Sequence, residues 1–220
     1  MRLTLFDLDH TLLHGDSDQL WCEFLMDRGV LPREPFASLN HAMARDYASG
    51  AVSAQAFCDF YIGTLAGRRA DEWQALRDTF LQACIVPRIP AAAHALVARH
   101  REAGDLLVLT TATNRFLSEP SAAHLGIAQL IATECELDAD GRFSGRSRGT
   151  LNMREGKVQR LHDWLSARQL QLPDCDSTLY SDSINDLPLL SAVRHAVAVN
   201  PDARLAAVAA ERGWPVLRLD

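Results

Sequence analysis

The 220-residue chain has no long apolar run, no paired cysteines and no surplus of positive charge, and each absence removes a class of protein. The first apolar stretch, Leu3 to Phe6, meets Asp7 after four residues. That is too short for a secretory signal and far too short to span a bilayer. The five cysteines, Cys22, Cys58, Cys84, Cys135 and Cys175, are odd in number, scattered, and never form a Cys-x-x-Cys pair, so they read as reduced, small apolar side chains. A soluble, cytoplasmic protein without a membrane partner is the expectation. The formal net charge of -6 supplies no basic field for a nucleic-acid backbone, so no nucleic-acid partner is expected. There is no internal repeat, low-complexity segment or long linker.

What the chain does contain is a change of rhythm. Leu3 to Phe6 is a buried-strand pattern that ends in acidic residues, and the carboxyl end of a strand is where open α/β sheets place ligands. From about residue 16 to 86 the pattern is helical. Leu20, Trp21, Phe24 and Leu25 share one helix face with Gly29 as a stop, and further helices are expected near 35 to 48, 53 to 65 and 71 to 84. Gly50 and Gly67 punctuate them, and Ser53 and Asp71 are candidate N-caps.

After Pro87 and Pro90, helices alternate with strands: a helix over 91 to 103, a strand from Leu106 to Thr110, a helix from Arg115, a strand near Leu130, a helix over 156 to 168, and strands at Thr178 to Tyr180 and Ala196 to Val199. Such alternation predicts an α/β fold, a doubly wound, mainly parallel sheet covered on both faces. Asp140-Gly141 between residues of strand character predicts a small β-hairpin within Glu134 to Thr150. The expected organisation is a Rossmann-like core of residues 1–15 and 87–220, interrupted by a helical cap of residues 16–86.

Four polar clusters fall at or beside the carboxyl ends of these strands. Asp7 and Asp9 can converge only if the chain turns just after the first strand, and a carboxylate pair in so apolar a setting requires a cation or hydrogen bonds. Taken on its own, that pair is more simply an ordinary strand-end turn capped by Asp9. Thr110 to Asn114 follows a strong strand and offers hydroxyls and the Ala112 amide to a phosphate oxygen, while helix capping by Thr113 or Asn114 is the plainer account. Lys157 opens a helix, where the macrodipole disfavours it, although a surface lysine is the ordinary alternative. Asp182 and Asp186 are four residues apart after Thr178 to Tyr180 and suit a hard cation, or else a turn and a cap. Independent capping would not place all four clusters consistently on one topology.

Taken in order, these segments resemble the four motifs of the haloacid dehalogenase superfamily across essentially the whole chain. Phe6 to Leu12 is similar to the first motif, Thr111 to the hydroxyl of the second, Lys157 to the basic residue of the third, and Ser181 to Asp186 to the acidic fourth. The helical insertion directly after the first motif is similar to the cap of the subfamily that contains phosphoserine phosphatase.

The resemblance implies a Mg²⁺-dependent phosphatase acting on a small phosphorylated metabolite. Asp7 would attack phosphorus, and Asp9 would protonate the leaving oxygen and then activate water. Asp7, the Asp9 backbone carbonyl and Asp182 would ligate Mg²⁺, with Asn185 and Asp186 holding its waters or the loop. Thr111 and Lys157 would grip the phosphoryl group. A carboxylate at position 9 favours hydrolysis over retention of the phosphoenzyme; transfer to an alcohol acceptor shares the same intermediate. A non-catalytic binding module would be expected to have lost Asp7, Asp9 or Lys157, and all three are present.

Three departures stand out: Thr111 where serine is common, Ser181 and Ser183 where glycines often flank the aspartate, and Asp16 where phosphoserine phosphatases recognise an amino group with glutamate. Asp16 and Asp18 are candidates for a cationic group on the substrate, with helix capping as the alternative for at least one of them. Arg45 is a candidate for a second anionic group, with ordinary surface exposure as the alternative.

Overall fold

The computed structural model describes residues 1–48 and 51–219; the expected helix punctuation at Gly50 lies outside them. The first strand, β1 (Arg2–Phe6), leads into four helices, α1 (Ser17–Asp27), α2 (Arg33–Ala48), α3 (Ala54–Gly63) and α4 (Ala70–Phe80). The alternating half follows: α5 (Ala91–Glu102), β2 (Leu106–Asn114), α6 (Arg115–His124), β3 (Gln129–Leu137), β4 (Phe143–Arg148), α7 (Glu155–Ser166), β5 (Asp176–Ser181), α8 (Leu187–Ala192), β6 (His195–Val199), α9 (Ala203–Arg212) and β7 (Val216–Leu217).

These strands form one sheet in the order β4-β3-β2-β1-β5-β6-β7, parallel except at the β4 edge. The winding reverses at β1, because the chain proceeds from β1 to β2 on one side and later places β5 on the other. A crevice therefore opens beyond the carboxyl ends of β1, β2 and β5, the place where open α/β sheets bind ligands.

Alternation along the strands fills both faces. Leu3 and Leu5 of β1 and Val108 of β2 pack with Leu161 and Leu165 of α7, Leu189 and Leu190 of α8, and Leu205 of α9. Phe6, Leu107 and Leu109 point the other way and join Leu96 and Val97 of α5 and Leu117 of α6. Trp21 and Leu25 of α1 and Trp73 and Phe80 of α4 belong to that same apolar cluster, so two of the inserted helices are fused to the sheet. A separate cluster of Cys22, Tyr47, Phe57, Cys58, Tyr61 and Ile62 holds α1, α2 and α3 together, and Met153 from the loop before α7 enters it.

The hairpin forms as expected: β3 runs past its parallel partner and pairs antiparallel with β4, and Asp138 Oδ1 accepts from the amides of Asp140 and Arg142. Ser53 caps α3 by accepting from the Ala56 amide. Asp71 is not a cap. The N-cap position of α4 is Arg69, whose amide donates to Glu72 Oε2 at 2.8 Å. Glu72 can reach back only to the residue three before it, which leaves Asp71 inside the first turn. Asn114, not Thr113, caps α6 through the Leu117 amide. The short helices α8 and α9 and the strand β7 escaped the sequence reading.

Candidate active site

The turn after β1 brings the first two carboxylates to one cavity. The Leu8 carbonyl accepts from the amides of Thr11, Leu12 and Leu13, and His10 has φ 56°, so the chain doubles back just past Asp7. Asp7 and Asp9 then line the same cavity of about 490 Å³, together with Lys157, Asp182, Asn185 and Asp186.

Lys157 is the only lysine in the chain; every other basic side chain apart from histidine is arginine. Its Nζ donates to Asp7 Oδ1 and to Asp186 Oδ2, both at 2.7 Å, with all three side chains buried. A compact ammonium fits between two carboxylates where a planar guanidinium would not. Asp186 is held in turn by the Ser181 hydroxyl at 2.7 Å. Desolvation would lower the lysine's pKa, but the charges of Asp186 and Asp7 outweigh it and raise it, so the ammonium is permanent.

The Thr11 hydroxyl joins the other two acidic positions. It lies 3.3 Å from Asp7 Oδ2 and 3.1 Å from Asp182 Oδ1, and it accepts from the Asp182 amide at 3.0 Å. A hydroxyl has one proton, so only one of the two carboxylates is served at a time. Burial, only partly offset by Lys157 and reinforced by Asp186 and Asp9, pushes Asp7 up to about 7. Burial and the neighbouring Asp7 and Asp186 push Asp182 up to about 8.

Two adjacent carboxylates this reluctant to ionise are short of positive charge. Among the described residues no group of three or more His, Cys, Asp or Glu side chains could hold a metal. A cation here would have Asp7 and Asp182 as its carboxylates and would need backbone and water oxygens to complete its shell. That composition suits Mg²⁺, which binds through one or two carboxylates and retains several waters.

Asp9 is only half-buried and hydrogen-bonded on both oxygens. Oδ1 accepts from the Ser17 amide at 2.7 Å, and Oδ2 from the Thr113 hydroxyl at 2.8 Å and the Thr111 hydroxyl at 3.4 Å. Thr111 is fully buried, outside the cavity lining, whereas the next residue, Ala112, lines it. Buried Asn152 braces this end of β2, its amide reaching Thr110 Oγ1 and the carbonyls of Thr111 and Ile131.

Asp16 lines the cavity while its Oδ1 caps α1 through the Gln19 amide at 2.9 Å. Burial, then the charge of Asp9, pushes it up to about 6. Asp18 is buried against Thr113 and Asn114, at 3.4 Å from each, and lies outside the cavity lining. Arg45 is on an exposed part of α2, paired with Asp46 at 2.9 Å, and does not reach the cavity. The cationic groups that do line it, besides Lys157, are Arg154 and Arg204. Sequence reasoning overlooked Thr11, Tyr47, Asn152 and Arg154; the solitary lysine was a legible signal that it did not use.

Comparison with known proteins follows the same lines. The sequence model of the haloacid dehalogenase-like hydrolases matches residues 4–191. A histidinol-phosphatase from Neisseria meningitidis is 39% identical, with 98% of each chain covered. The phosphoserine phosphatase SerB1 of Mycobacterium tuberculosis is 34% identical over 96% of this chain and 68% of its own. A crystal structure of a protein of unknown function from Bordetella pertussis superposes with a TM-score of 0.94 at 42% identity, covering 100% of this chain and 99% of that one. A substrate-bound phosphoserine phosphatase superposes with a TM-score of 0.69 at 14% identity over 98% of this chain and 92% of its own, a likeness of fold.

Proposed function

The chain belongs to the haloacid dehalogenase-like hydrolase family and is a phosphomonoesterase; we propose that it hydrolyses a small, amine-bearing phosphomonoester through a phosphoaspartate on Asp7, with Mg²⁺ as cofactor. The observation that carries this reading is the buried Asp7–Lys157–Asp186 triad at the switch point of the sheet, with Asp182 tied to Asp7 through Thr11.

Asp7 attacks phosphorus in line with the ester oxygen, and Asp9, facing the same cavity, delivers a proton to that oxygen as it leaves. Asp9 then takes a proton from the water that cleaves the phosphoaspartate, so one carboxyl serves as acid and as base. Lys157, fixed by Asp186, and the Ala112 amide neutralise charge on the phosphoryl oxygens. Thr111 acts through Asp9 and the turn it braces. Asp7, Asp182 and the Asp9 carbonyl would hold Mg²⁺, which supplies Lewis-acid stabilisation of the transferring group.

The organic part of the substrate meets Asp16, whose carboxylate is closed by no ion pair among the described residues, and a substrate ammonium would supply the missing charge. Histidinol phosphate, named for the 39% identical relative, is the first candidate. Residues 16–86 act as a helical cap over a core of residues 1–15 and 87–220, with Tyr47 and Phe57 of the cap on the cavity wall. The five free thiols support a reducing compartment, the cytoplasm.

Phosphate release with Mg²⁺ from histidinol phosphate, phosphoserine and p-nitrophenyl phosphate tests the reading. Asp7→Asn should abolish release from all three; residual activity equal to wild type would remove Asp7 as nucleophile.

A further inference from the structure

We propose that Tyr47 and Arg154 form the subsite that selects the substrate, by binding a hydrogen-bond acceptor on its organic part. This inference rests on the phosphomonoesterase reading of the same cavity. Tyr47, on α2, is 8% exposed and lines the cavity that contains Asp7 and Lys157. Its hydroxyl is buried and donates to no acceptor among the described residues, while the Arg154 side chain beside it can act only as a donor. Leaving such a donor unpaired is unfavourable, and a cavity wall is where a ligand can supply the acceptor. Tyr61, whose hydroxyl is equally unpartnered, does not line the cavity.

Arg154 decides what kind of partner. Its guanidinium lies 5.3 Å from the centre of the Tyr47 ring, and no carboxylate pairs with it among the described residues. A permanent cation beside the phenol disfavours a second cation there and favours an acceptor, and burial keeps the phenol protonated as a donor. Arg154 is also held in an unusual backbone conformation, φ 49° and ψ −125°, directly before α7. The turn is fixed on either side: Met153 packs into the cap cluster, its carbonyl accepts from the Gly156 amide, and the Arg154 carbonyl accepts from the Lys157 amide. One short turn thus carries both the lysine that faces the phosphoryl group and the arginine that faces the organic part.

With Asp16 lining the same cavity, the substrate so defined has an ammonium and an acceptor. Two chemistries provide the acceptor, a carboxylate and an unprotonated azole nitrogen. Phosphoserine has the first, histidinol phosphate the second, and phosphoethanolamine neither.

The test compares kcat/KM on these three for wild type, Tyr47→Phe and Arg154→Ala, with Tyr61→Phe as control and thermal melting to verify folding. Wild type should prefer one acceptor-bearing substrate over phosphoethanolamine, and that substrate identifies the acceptor. Tyr47→Phe and Arg154→Ala should each collapse the preference by about 10- to 100-fold, and Tyr61→Phe should leave it in place. An equal fall on all three substrates, or a preference that survives both substitutions, would overturn the subsite. So would failure of wild type on all three while p-nitrophenyl phosphate is still cleaved, which would leave the phosphomonoesterase reading standing. Failure on p-nitrophenyl phosphate as well would overturn both.

Discussion

Lys157 Nζ and Asp7 Oδ1 lie 2.7 Å apart although 150 residues separate them in sequence, and both side chains are almost completely withdrawn from water. Removing one charge from such a contact leaves the other buried without its partner. Lys157→Ala is therefore expected to lower kcat/KM by about 10³-fold through lost stabilisation of the phosphoryl oxygens. It should also destabilise the fold by about 3 kcal/mol. Steady-state kinetics and urea denaturation check the two effects separately.

The carboxyls of Asp7 and Asp182 make metal-free stability depend on pH. Their folded pKa values, about 7 and about 8, lie above the unfolded carboxylate value of about 4, so the folded state binds protons more tightly. Their contribution is present in full below the unfolded pKa and is lost as pH rises through 7 to 8. Removing Mg²⁺ should accordingly lower the melting temperature more at pH 8 than at pH 6. Mg²⁺ binding near pH 7 should release protons, measurable by calorimetry in buffers of different ionisation enthalpy. Binding without proton release would refute this account.

Arg160 of α7 and Arg115 of α6 both donate to Glu134 of β3, at 3.0 and 2.8 Å, pinning the helix that carries Lys157 against the sheet. Burial would raise the Glu134 pKa, but the hydrogen bonds and charge of Arg115 and then Arg160 outweigh it and lower it. Its contribution is present above the unfolded value of about 4.3 and is lost as pH falls through the lower folded value. Glu134→Gln should cost about 2 kcal/mol at pH 7, a difference from wild type that shrinks in acid and is measurable by denaturant unfolding at each pH.

Gly156 has no room for a side chain, because a Cβ there would collide with the Leu151 carbonyl oxygen. Gly156→Ala must displace the turn that aims both Arg154 and Lys157. The expected outcome is a loss of at least about 10²-fold in kcat/KM, since a displacement of roughly 1 Å is enough for that. A crystal structure of the variant would show whether Lys157 Nζ has left Asp7.

Much of this was legible in the residue order. Period-2 and period-3.6 patterns distinguished the alternating half from the helical insertion, and polar clusters at strand ends marked Asp7, Asp9, Lys157, Asp182 and Asp186, because a parallel sheet brings its carboxyl ends together. Local chemistry also gave the Ser53 cap and, from Asp140-Gly141, the hairpin; that Asp138 closes its turn was not read. The Asp71 cap failed because capping is reciprocal, and Glu72 selects the residue three positions before it. The helix α9 was legible, with Asp202 as its N-cap and Gly213 as its stop, and was passed over; β7 is only two residues long and leaves no pattern.

The wall of the cavity belongs to the tertiary structure alone. Arg45 and Arg154 are both exposed arginines, yet one pairs with Asp46 away from the cavity and the other lines it beside the Tyr47 ring. Asp16 and Asp18 are two apart on one helix start, and the helix rotation between them puts one on the cavity and the other against Thr113. Strand periodicity fixes which ends carry chemistry because backbone hydrogen bonding is local and repetitive. Which side chains of the inserted helices meet those ends depends on the packing of Met153, Tyr47 and Phe57 across about one hundred residues of chain, and no short-range pattern encodes it.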